Sequence, residues 1–156
     1  MNPPDSEPDE IGYPELLRGL RGAFGVNALL ERGNELLSSE RYQDAIDAYD
    51  KVLSTAPATF GAWNNKGFAL KELGKYQEAI ECFTKALAIN GRDATAWRDK
   101  GVALRELGRL ADALRSLDTA LELDATSPSA WLWKGTVLRQ IGKLRDAAQA
   151  YTNFLK

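Results

Sequence analysis

Residues 63–89 read WNNKGFALKELGKYQEAIECFTKALAI, and this stretch returns twice more along the chain. Residues 97–123 read WRDKGVALRELGRLADALRSLDTALEL, and residues 131–155 read WLWKGTVLRQIGKLRDAAQAYTNFL. The tryptophan that begins each copy follows the previous one after 34 residues. A weaker copy lies one period upstream, with Leu29 in place of the tryptophan. A period in the range of 20–50 residues is typical of stacked supersecondary units.

Each copy has the apolar spacing of two helices joined by a turn. Trp63, Gly67 and Leu70 lie at positions i, i+4 and i+7, which places them on one face of a first helix. Gly74 interrupts that spacing and supplies a residue suited to a tight turn. The apolar positions of the second helix are Tyr76, Ala79, Ile80, Phe83, Ala86 and Leu87. The sequence therefore predicts an all-α chain of helix pairs without β-strand.

A glycine lies in the middle of each predicted first helix, at Gly67, Gly101 and Gly135. Glycine in a helix interior costs about 1 kcal/mol relative to alanine, so a cost repeated in every copy needs a structural reason. We expect close backbone approach between the two helices of a pair, beneath the ring of the preceding tryptophan. The same register predicts that the tryptophans lie between the helices of their own pair and are largely buried.

The copies resemble the tetratricopeptide repeat, a 34-residue helix pair with the signature W-x2-L-G-x2-Y, then A-x3-F, then P. The matching positions are Trp63, Gly67, Ala79 and Phe83, then Trp97, Gly101 and Ala113, then Trp131, Gly135, Ala147 and Tyr151. The signature leucine is replaced by Arg32, Lys66, Lys100 and Lys134, and the signature tyrosine by Leu36, Leu70, Leu104 and Leu138. The closing proline is kept only as Pro57. The resemblance implies a right-handed α-solenoid of four tandem helix-turn-helix repeats.

The repeat register divides the chain into three segments. Residues 1–13 hold acidic residues and prolines and are expected to form a flexible tail, because they cannot bury enough apolar surface to fold. Residues 14–25 begin with a proline followed by leucines at helical spacing, which predicts a short amphipathic helix. The tetratricopeptide-like domain follows over residues 26–156. Its repeats are 26–59, 60–93, 94–127 and 128–156.

The short helix predicted over residues 14–24 has two candidate roles. As a cap, it would cover the open face of the first repeat, because terminal repeats of a solenoid must be shielded from water. As a mobile segment, it would dock with the acidic tail in the groove of the solenoid and compete with an outside ligand. The sequence leaves both roles open.

The composition offers few residues for an active site. The chain has no histidine, the commonest general base, and its glycines do not form a phosphate-binding loop. The single cysteine, Cys82, falls on a second helix and is expected to be a small packing residue. We therefore predict no catalytic residue, no metal site and no cofactor, in a chain that is not an enzyme.

The net charge and the N-terminal sequence argue against a nucleic-acid-binding, secreted or membrane protein. The net charge is −2 and the basic residues are interspersed with acids, which argues against a nucleic-acid ligand. The first ten residues, MNPPDSEPDE, lack the basic and apolar regions of a signal peptide, and no apolar stretch reaches the length of a membrane span. The sequence thus predicts a cytoplasmic location without membrane contact.

The resemblance also implies that the exposed face of the first helices is concave and binds peptides. Residues on that face lie at fixed offsets from the buried tryptophan, glycine and leucine positions. The predicted groove residues are Leu30, Asn34, Leu37, Asn64, Asn65, Phe68, Lys71, Arg98, Val102, Arg105, Leu132, Trp133, Thr136 and Arg139.

The predicted groove combines three kinds of side chain. Apolar residues, led by Phe68 and Trp133, offer anchors of the kind that dominate binding energy. Three amides, Asn34, Asn64 and Asn65, offer paired donors and acceptors to a peptide backbone. A basic line recurs at one helix position, at Lys71, Arg105 and Arg139. Adjacent acids leave the face as a whole without net charge.

Some chaperone-binding members of this family clamp a C-terminal carboxylate with a Lys and an Asn from the first repeat, an Asn from the second, and a Lys and an Arg from the third. Asn34 and Asn65 match the two asparagines. Leu30 replaces the first lysine, and Thr95 and Asp99 replace the bases of the third repeat. Because all three cations are missing, we do not expect that clamp here.

We interpret the chain as a protein-interaction module that binds a peptide or partner segment in the groove, as a scaffold or adaptor. Two alternatives stay open, which are a recruitment or regulatory domain of a larger enzyme and a structural unit that self-associates. The sequence shows no helix after residue 156 to cover Tyr151 and Phe154. Weak homo-oligomerisation through the C-terminal helix is therefore also expected.

Overall fold

The computed structural model describes residues 13–155, with side chains from residue 22 onward. The tail expected over residues 1–13 therefore lies outside the described residues, except for Tyr13. Within residues 13–155 the chain forms eight α-helices and no β-strand, which confirms the predicted all-α class. The helices are α1 Tyr13–Ser38, α2 Tyr42–Thr55, α3 Phe60–Glu72, α4 Tyr76–Ile89, α5 Ala94–Glu106, α6 Leu110–Leu123, α7 Pro128–Gln140 and α8 Leu144–Phe154.

The helices stack as four consecutive pairs. Each odd-numbered helix packs on the next even-numbered one, and each even-numbered helix packs on the first helix of the next pair. Successive first helices also contact one another, whereas no second helix within residues 13–155 contacts another second helix. A stack that is closer on one side curves toward that side, so the first helices lie inside. We name the exposed face of α1, α3, α5 and α7 the inner wall, and α2, α4, α6 and α8 the outer layer. This architecture is the predicted α-solenoid.

Each pair is held at close range by the glycine in the middle of its first helix. A Cβ atom built on Gly67 would lie 2.9 Å from Cε1 of Phe83 on the second helix. Only glycine lets a large side chain lie directly on the helix backbone at that distance. The equivalent pairs are Gly33 with Tyr49, Gly101 with Leu117 and Gly135 with Tyr151. The predicted close approach is confirmed, although the second-helix side chain, and not the tryptophan ring, occupies the space beside the glycine.

The tryptophans that begin the repeats are partly buried, less completely than the core residues, and they pack against that core. Each indole Nε1 donates to a backbone carbonyl in the loop that ends the preceding repeat. The bonds join Trp63 to Pro57 at 2.7 Å, Trp97 to Gly91 at 2.9 Å and Trp131 to Ala125 at 2.8 Å. Trp63 also packs against both the core around Tyr49 and the core around Phe83. Each tryptophan therefore links successive repeats at their joint, because its N–H donates to the loop that ends the preceding repeat.

The lysines that replace the signature leucine lie beside the tryptophan rings. Nζ of Lys66, Lys100 and Lys134 lies 5.8, 5.2 and 5.3 Å from the ring centroids of Trp63, Trp97 and Trp131. An ammonium group near an aromatic face gains about 0.5–1 kcal/mol at exposed sites. The substitution of leucine by lysine therefore keeps a favourable contact at the joint.

A residue in the left-handed region of φ ends the first helix of every pair. Gly74, Gly108 and Gly142 have φ angles of 74°, 72° and 81°, and Glu40 takes the equivalent position with φ 57°. The following amide closes the turn, as Arg41 does by donating to the carbonyl of Leu36 at 2.9 Å. A side chain in this region costs about 1–2 kcal/mol, which glycine avoids. The first repeat therefore carries backbone strain that the other three do not.

The first helix continues across residue 25, where the sequence predicts a boundary between two segments. α1 runs without a break from Tyr13 to Ser38, so the predicted short helix is continuous with the first helix of the first repeat. Phe24 is 71% exposed, and within the described residues α1 contacts only α2 and α3. The three glycines at 19, 22 and 25 lower helix propensity without supplying a reason to turn. A role of residues 14–24 as a cap or as a groove ligand stays a prediction.

We predict that Trp97→Ala lowers the free energy of unfolding by about 3 kcal/mol, because it removes the ring and leaves the Gly91 carbonyl without its donor. Trp97→Phe keeps an aromatic ring but lacks Nε1, and should cost about 1 kcal/mol. Urea unfolding followed by circular dichroism measures both losses. Losses near zero for both variants would contradict the role of the tryptophan at the joint.

A second prediction concerns the turn at Glu40. Glu40→Gly should raise the free energy of unfolding by about 0.5–1 kcal/mol, because relief of the left-handed strain outweighs the added freedom of the unfolded chain. Gly108→Ala, the reverse change at the equivalent position, should lower it by about 1 kcal/mol. Glu40→Ala removes the charge but keeps the strain, and should be near neutral. If Glu40→Ala stabilises as much as Glu40→Gly does, the charge and not the backbone is responsible.

Candidate functional site

The predicted groove residues lie on α1, α3, α5 and α7, the helices that form the inner wall. Because successive first helices contact one another, their exposed faces join into one surface that crosses all four repeats. Side chains three and four residues apart share a helix face, so each repeat contributes a short strip to this surface. Hydrogen bonds and ring contacts determine which of the side chains meet.

Asparagines of the first two repeats meet at one end of the inner wall. Oδ1 of Asn34 accepts hydrogen bonds from Nδ2 of Asn65 and from Oη of Tyr49, both at 2.9 Å. Nδ2 of Asn64 donates to Oδ1 of Asn65 over a longer distance of 3.5 Å. Oδ1 of Asn64 is buried and accepts no hydrogen bond from any described residue. The Asn34–Asn65 pair is therefore fixed, whereas Asn64 keeps an unused acceptor.

A buried carboxylate, Asp99, lies near the centre of the inner wall. Its Oδ1 accepts from Nε and Nη2 of Arg98 at 3.1 and 3.0 Å and lies 3.8 Å from Nζ of Lys71 on the preceding first helix. Arg98 also donates from Nη1 to Oγ of Ser129 on the next first helix at 3.1 Å. Because a buried charge must be paired, Asp99 holds both cations in place along the wall. The sequence places Asp99 on the face predicted for the groove, at the position of a clamp base, but does not predict its contact with Lys71.

Arg105 forms a second bridge between repeats. Its Nη1 lies 3.0 Å from Glu106, its Nε donates to Oε1 of Gln140 at 3.1 Å, and its guanidinium carbon lies 4.9 Å from the ring centroid of Trp133. Arg139 is exposed and has no hydrogen bond or ion pair through its side chain with another described residue. The predicted basic line thus exists as a row of positions, but only its last member keeps its charge unpaired within residues 13–155.

Two aromatic rings remain partly exposed on the inner wall, and a cation lies beside each. Nζ of Lys71 lies 4.4 Å from the ring centroid of Phe68, as the guanidinium of Arg105 does at 4.9 Å from that of Trp133. Leu132, next to Trp133, is exposed. These contacts limit the rotamers of both rings before any ligand arrives.

Other predicted groove residues are buried against the core or form hydrogen bonds within their own helix. Val102 is 8% exposed, which corrects the expectation that it lies on the groove surface, because the packed helices cover it. Leu30 and Leu37 are partly buried against the core around Tyr49. Thr136 donates to the carbonyl of Leu132 at 2.9 Å.

The single cysteine and the acidic side chains of the described residues form neither a reactive thiol nor a metal site. Burial raises the pKa of the Cys82 thiol to about 11, so the thiol stays protonated and packs in the core of the second pair. Across residues 13–155, no group of three or more His, Cys, Asp or Glu side chains is placed to hold a metal ion. None of the helices in the described part of the chain combines the length and the hydropathy that a membrane span needs.

Several solved structures share this fold. MamA from residue 41 to its end, from Desulfovibrio magneticus RS-1, superposes with a TM-score of 0.80 at 25% identity, over 83% of this chain and 73% of that chain. Another MamA crystal structure gives 0.81 at 20% identity, over 92% and 82%. The second TPR domain of human RPAP3, solved by NMR in complex with the HSP70 peptide SGPTIEEVD, gives 0.72 at 24% identity, over 74% and 97%. No curated protein matches the chain.

Sequence models of one family match the repeats in turn. Three models, each described as tetratricopeptide repeat, match residues 26–59, 61–93 and 99–156. Together they cover most of the chain, and the resemblance seen in the tryptophan, glycine and alanine positions is confirmed. The chain belongs to the tetratricopeptide repeat family.

Proposed function

We propose that the chain is a protein-interaction module that binds a peptide segment along the inner wall and so acts as a scaffold or adaptor. The observation that carries the proposal is the pair of partly exposed rings, Phe68 and Trp133, each held beside a cation. Large rigid rings bury much area at little cost in conformational entropy, which is why they dominate binding energies.

The amides of the inner wall suit the backbone of a peptide. The bond between Asn34 and Asn65 holds both side chains in a fixed orientation across two repeats. Oδ1 of Asn64 is an unsatisfied buried acceptor, and such a group costs about 1–3 kcal/mol. A rotation of Asn64 toward a ligand N–H would exchange that cost for a hydrogen bond. The wall therefore favours a ligand whose backbone amides are free.

The charges of the inner wall favour an acidic residue near its fourth repeat. Lys71 and Arg105 are paired with carboxylates, so they contribute mainly to the placement of the rings. Arg139 is unpaired among the described residues and is on the same helix as Leu132 and Trp133. An exposed ion pair there would raise the association rate and fix the register more than it would raise affinity.

A clamp on a C-terminal carboxylate is not the mode of binding that we propose. The RPAP3 domain was solved with the peptide SGPTIEEVD, and this chain shares its fold. Here Asp99 is a buried carboxylate where the chaperone clamp has a base, and Leu30 replaces the first lysine. Asp99 already pairs with Arg98 and Lys71, so neither cation is free to bind a terminal carboxylate at that place. A place within a larger enzyme and a cytoplasmic location stay predictions from the sequence.

The proposal predicts binding of short synthetic peptides that carry two apolar residues and an acidic flank, measured by fluorescence anisotropy on an array. Dissociation constants in the micromolar range, roughly −8 kcal/mol, are expected. Trp133→Ala should weaken binding by about tenfold or more, because it removes an anchor. Ile89→Ala, which truncates an exposed apolar side chain on α4 of the outer layer, is the matched control and should leave affinity unchanged.

Amidation of the C-terminus of a bound peptide tests the mode of binding in the same assay. It should change the affinity by less than about threefold, the size of an exposed charge effect. Loss of binding on amidation would favour a carboxylate clamp. Equal binding by Trp133→Ala and the unmodified chain would contradict the proposed role of the wall.

Self-association of two copies through α8 is a second proposed role, carried by exposed leucines. Leu144 and Leu155 are 66% and 79% exposed, and Phe154 beside them is also exposed. Leu144 and Leu155 are about three helical turns apart and so share one face. Within the described residues α8 contacts only α7. Apolar side chains grouped in this way mark an interface.

Sedimentation velocity from micromolar to millimolar protein tests this role. The sedimentation coefficient should rise with concentration for the unmodified chain, because apolar faces of two copies associate weakly. Leu144→Glu should abolish the rise, whereas Ile89→Glu, an equally drastic change on α4, should leave it intact. A monomer at all concentrations, or the same behaviour in both variants, would refute association through α8.

A further inference from the structure

An open cavity of about 490 Å³ lies between α4, α5 and α6, on the side of the outer layer. Its residues on α5 are Trp97, Lys100 and Leu104, whereas the inner wall uses Arg98 and Arg105 of the same helix. A second cavity of about 390 Å³ lies between α6, α7 and α8. Every residue that lines the second cavity lies one 34-residue period after a residue that lines the first. The solenoid therefore builds the same cavity twice, and the two can be compared position by position.

Three substitutions give the first cavity a different chemistry from the second. Thr84 takes the place of Asp118, Arg115 that of Gln149, and Ser116 that of Ala150. The first change removes a carboxylate, the second adds a guanidinium group and the third adds a hydroxyl group. All three changes make the first cavity more favourable for an anion.

Lys100 has lost the carboxylate that pairs with the equivalent lysine in neighbouring repeats. The neighbouring pairs are Lys66 with Asp50 at 2.5 Å and Lys134 with Asp118 at 2.7 Å. At the corresponding position Lys100 faces Thr84, whose hydroxyl already donates to the carbonyl of Ile80 at 2.7 Å. Within the described residues the Lys100 ammonium forms no ion pair within 4.0 Å and no hydrogen bond, and it lies beside the Trp97 ring.

The surroundings of Lys100 are more positive than those of an ordinary surface lysine. Burial lowers the pKa of Lys100, and the charge of Arg109 lowers this pKa further, against the smaller opposing effect of the Asp112 carboxylate. Both effects arise where an ammonium group is partly withdrawn from water next to a like charge. An anion in the cavity would relieve both.

Two guanidinium groups at the rim of the cavity share a single carboxylate. Asp112 accepts from Nε and Nη2 of Arg109 at 3.0 and 2.6 Å and also pairs with Arg115. Together with Lys100, the first cavity holds three cations and one carboxylate. In the second cavity the cations Lys134 and Lys143 are balanced by Asp118 and Asp146. The surplus positive charge is therefore a property of the first cavity and not of the repeat.

A hydroxyl group without a partner lies on the floor of the first cavity. Ser116 is 5% exposed, and its Oγ makes no hydrogen bond to any described residue. Cys82 and Ala150 stand at the equivalent positions of the neighbouring repeats, so the packing does not require a hydroxyl. The Oγ of Ser116 is therefore available to an acceptor oxygen in the cavity.

We propose that this cavity binds a phosphate group, either as inorganic phosphate or on a small phosphomonoester. The surplus of positive charge suits a dianion. The ammonium of Lys100, the guanidinium groups of the rim and the hydroxyl of Ser116 line the same cavity, and all of them can donate hydrogen bonds to the oxygens of a phosphate group. The site goes beyond the proposed binding of peptides and uses none of the residues of the inner wall.

Amide NMR spectra of the full chain, titrated with sodium phosphate and separately with O-phospho-L-serine at constant ionic strength, test the site. Saturable shifts of the Lys100 and Ser116 amides are expected, with the Phe68 and Trp133 amides unmoved. Saturation by both compounds identifies the free ion as sufficient, and saturation by phosphoserine alone identifies a monoester. Shifts that sodium chloride reproduces, or no saturable shift with either compound, would overturn the proposal.

The repeats supply matched variants for the same titration. Thr84→Asp restores the carboxylate that Asp50 and Asp118 provide in neighbouring repeats, so the variant is expected to fold. It should weaken phosphate binding by about tenfold or more, because Lys100 regains an internal partner. Conversely, the triple change Asp118→Thr, Gln149→Arg and Ala150→Ser should create saturable shifts around Lys134 in the second cavity. Unchanged affinity in Thr84→Asp overturns the assignment, whatever the triple variant does. If the triple variant shows no saturable shifts, these three positions do not by themselves create a phosphate site. That result would contradict the proposal that they distinguish the first cavity from the second.

Discussion

The solenoid depends on the contact between a second-helix side chain and the backbone of a first-helix glycine. A Cβ at Gly67 would come within 2.9 Å of the ring of Phe83, so any larger residue would separate the two helices. The helix gives up about 1 kcal/mol of intrinsic propensity at that glycine. Full burial of a phenylalanine side chain returns about 1.5–3 kcal/mol. The two helices of a pair therefore pack as one rigid unit. The shape of the solenoid then depends on how successive pairs pack on one another at the joints between them.

The joints explain why the two sides of the molecule differ. Each repeat tryptophan is tied through Nε1 to the loop before it, which fixes the first helix of one repeat against the end of the previous one. First helices consequently contact one another, while the second helices of the described chain do not. The inner side becomes a continuous wall suited to an extended ligand. The outer side keeps gaps between second helices, and two of these gaps hold the two cavities.

Features that depend on position within the period could be predicted from the sequence, and features that depend on the stacking of repeats could not. The helix pairs and the close approach at Gly67 follow from local spacing. The exposure of the tryptophan edge depends on a loop carbonyl, and the burial of Val102 depends on how neighbouring helices cover it. The contact of Lys71 with Asp99 joins two repeats, so no pattern within one repeat contains it. Glu40 adopts a left-handed φ because the turn of its repeat demands it, although the residue itself disfavours it.

Comparison of equivalent positions in the four repeats distinguishes residues that folding requires from residues that a ligand could require. The glycine in the middle of each first helix recurs in all four repeats, and it makes the same contact in each. Trp133 stands where the other repeats have Glu31, Asn65 and Asp99, and Thr84 stands where two of them have an aspartate. The backbone accepts all of these side chains, so packing does not select among them. A surplus charge beside Lys100 is unfavourable in the absence of an anion, since a like charge disfavours the charged form. The repeat offers an aspartate that would remove this cost, and its absence at Thr84 is the reason to look for a ligand there.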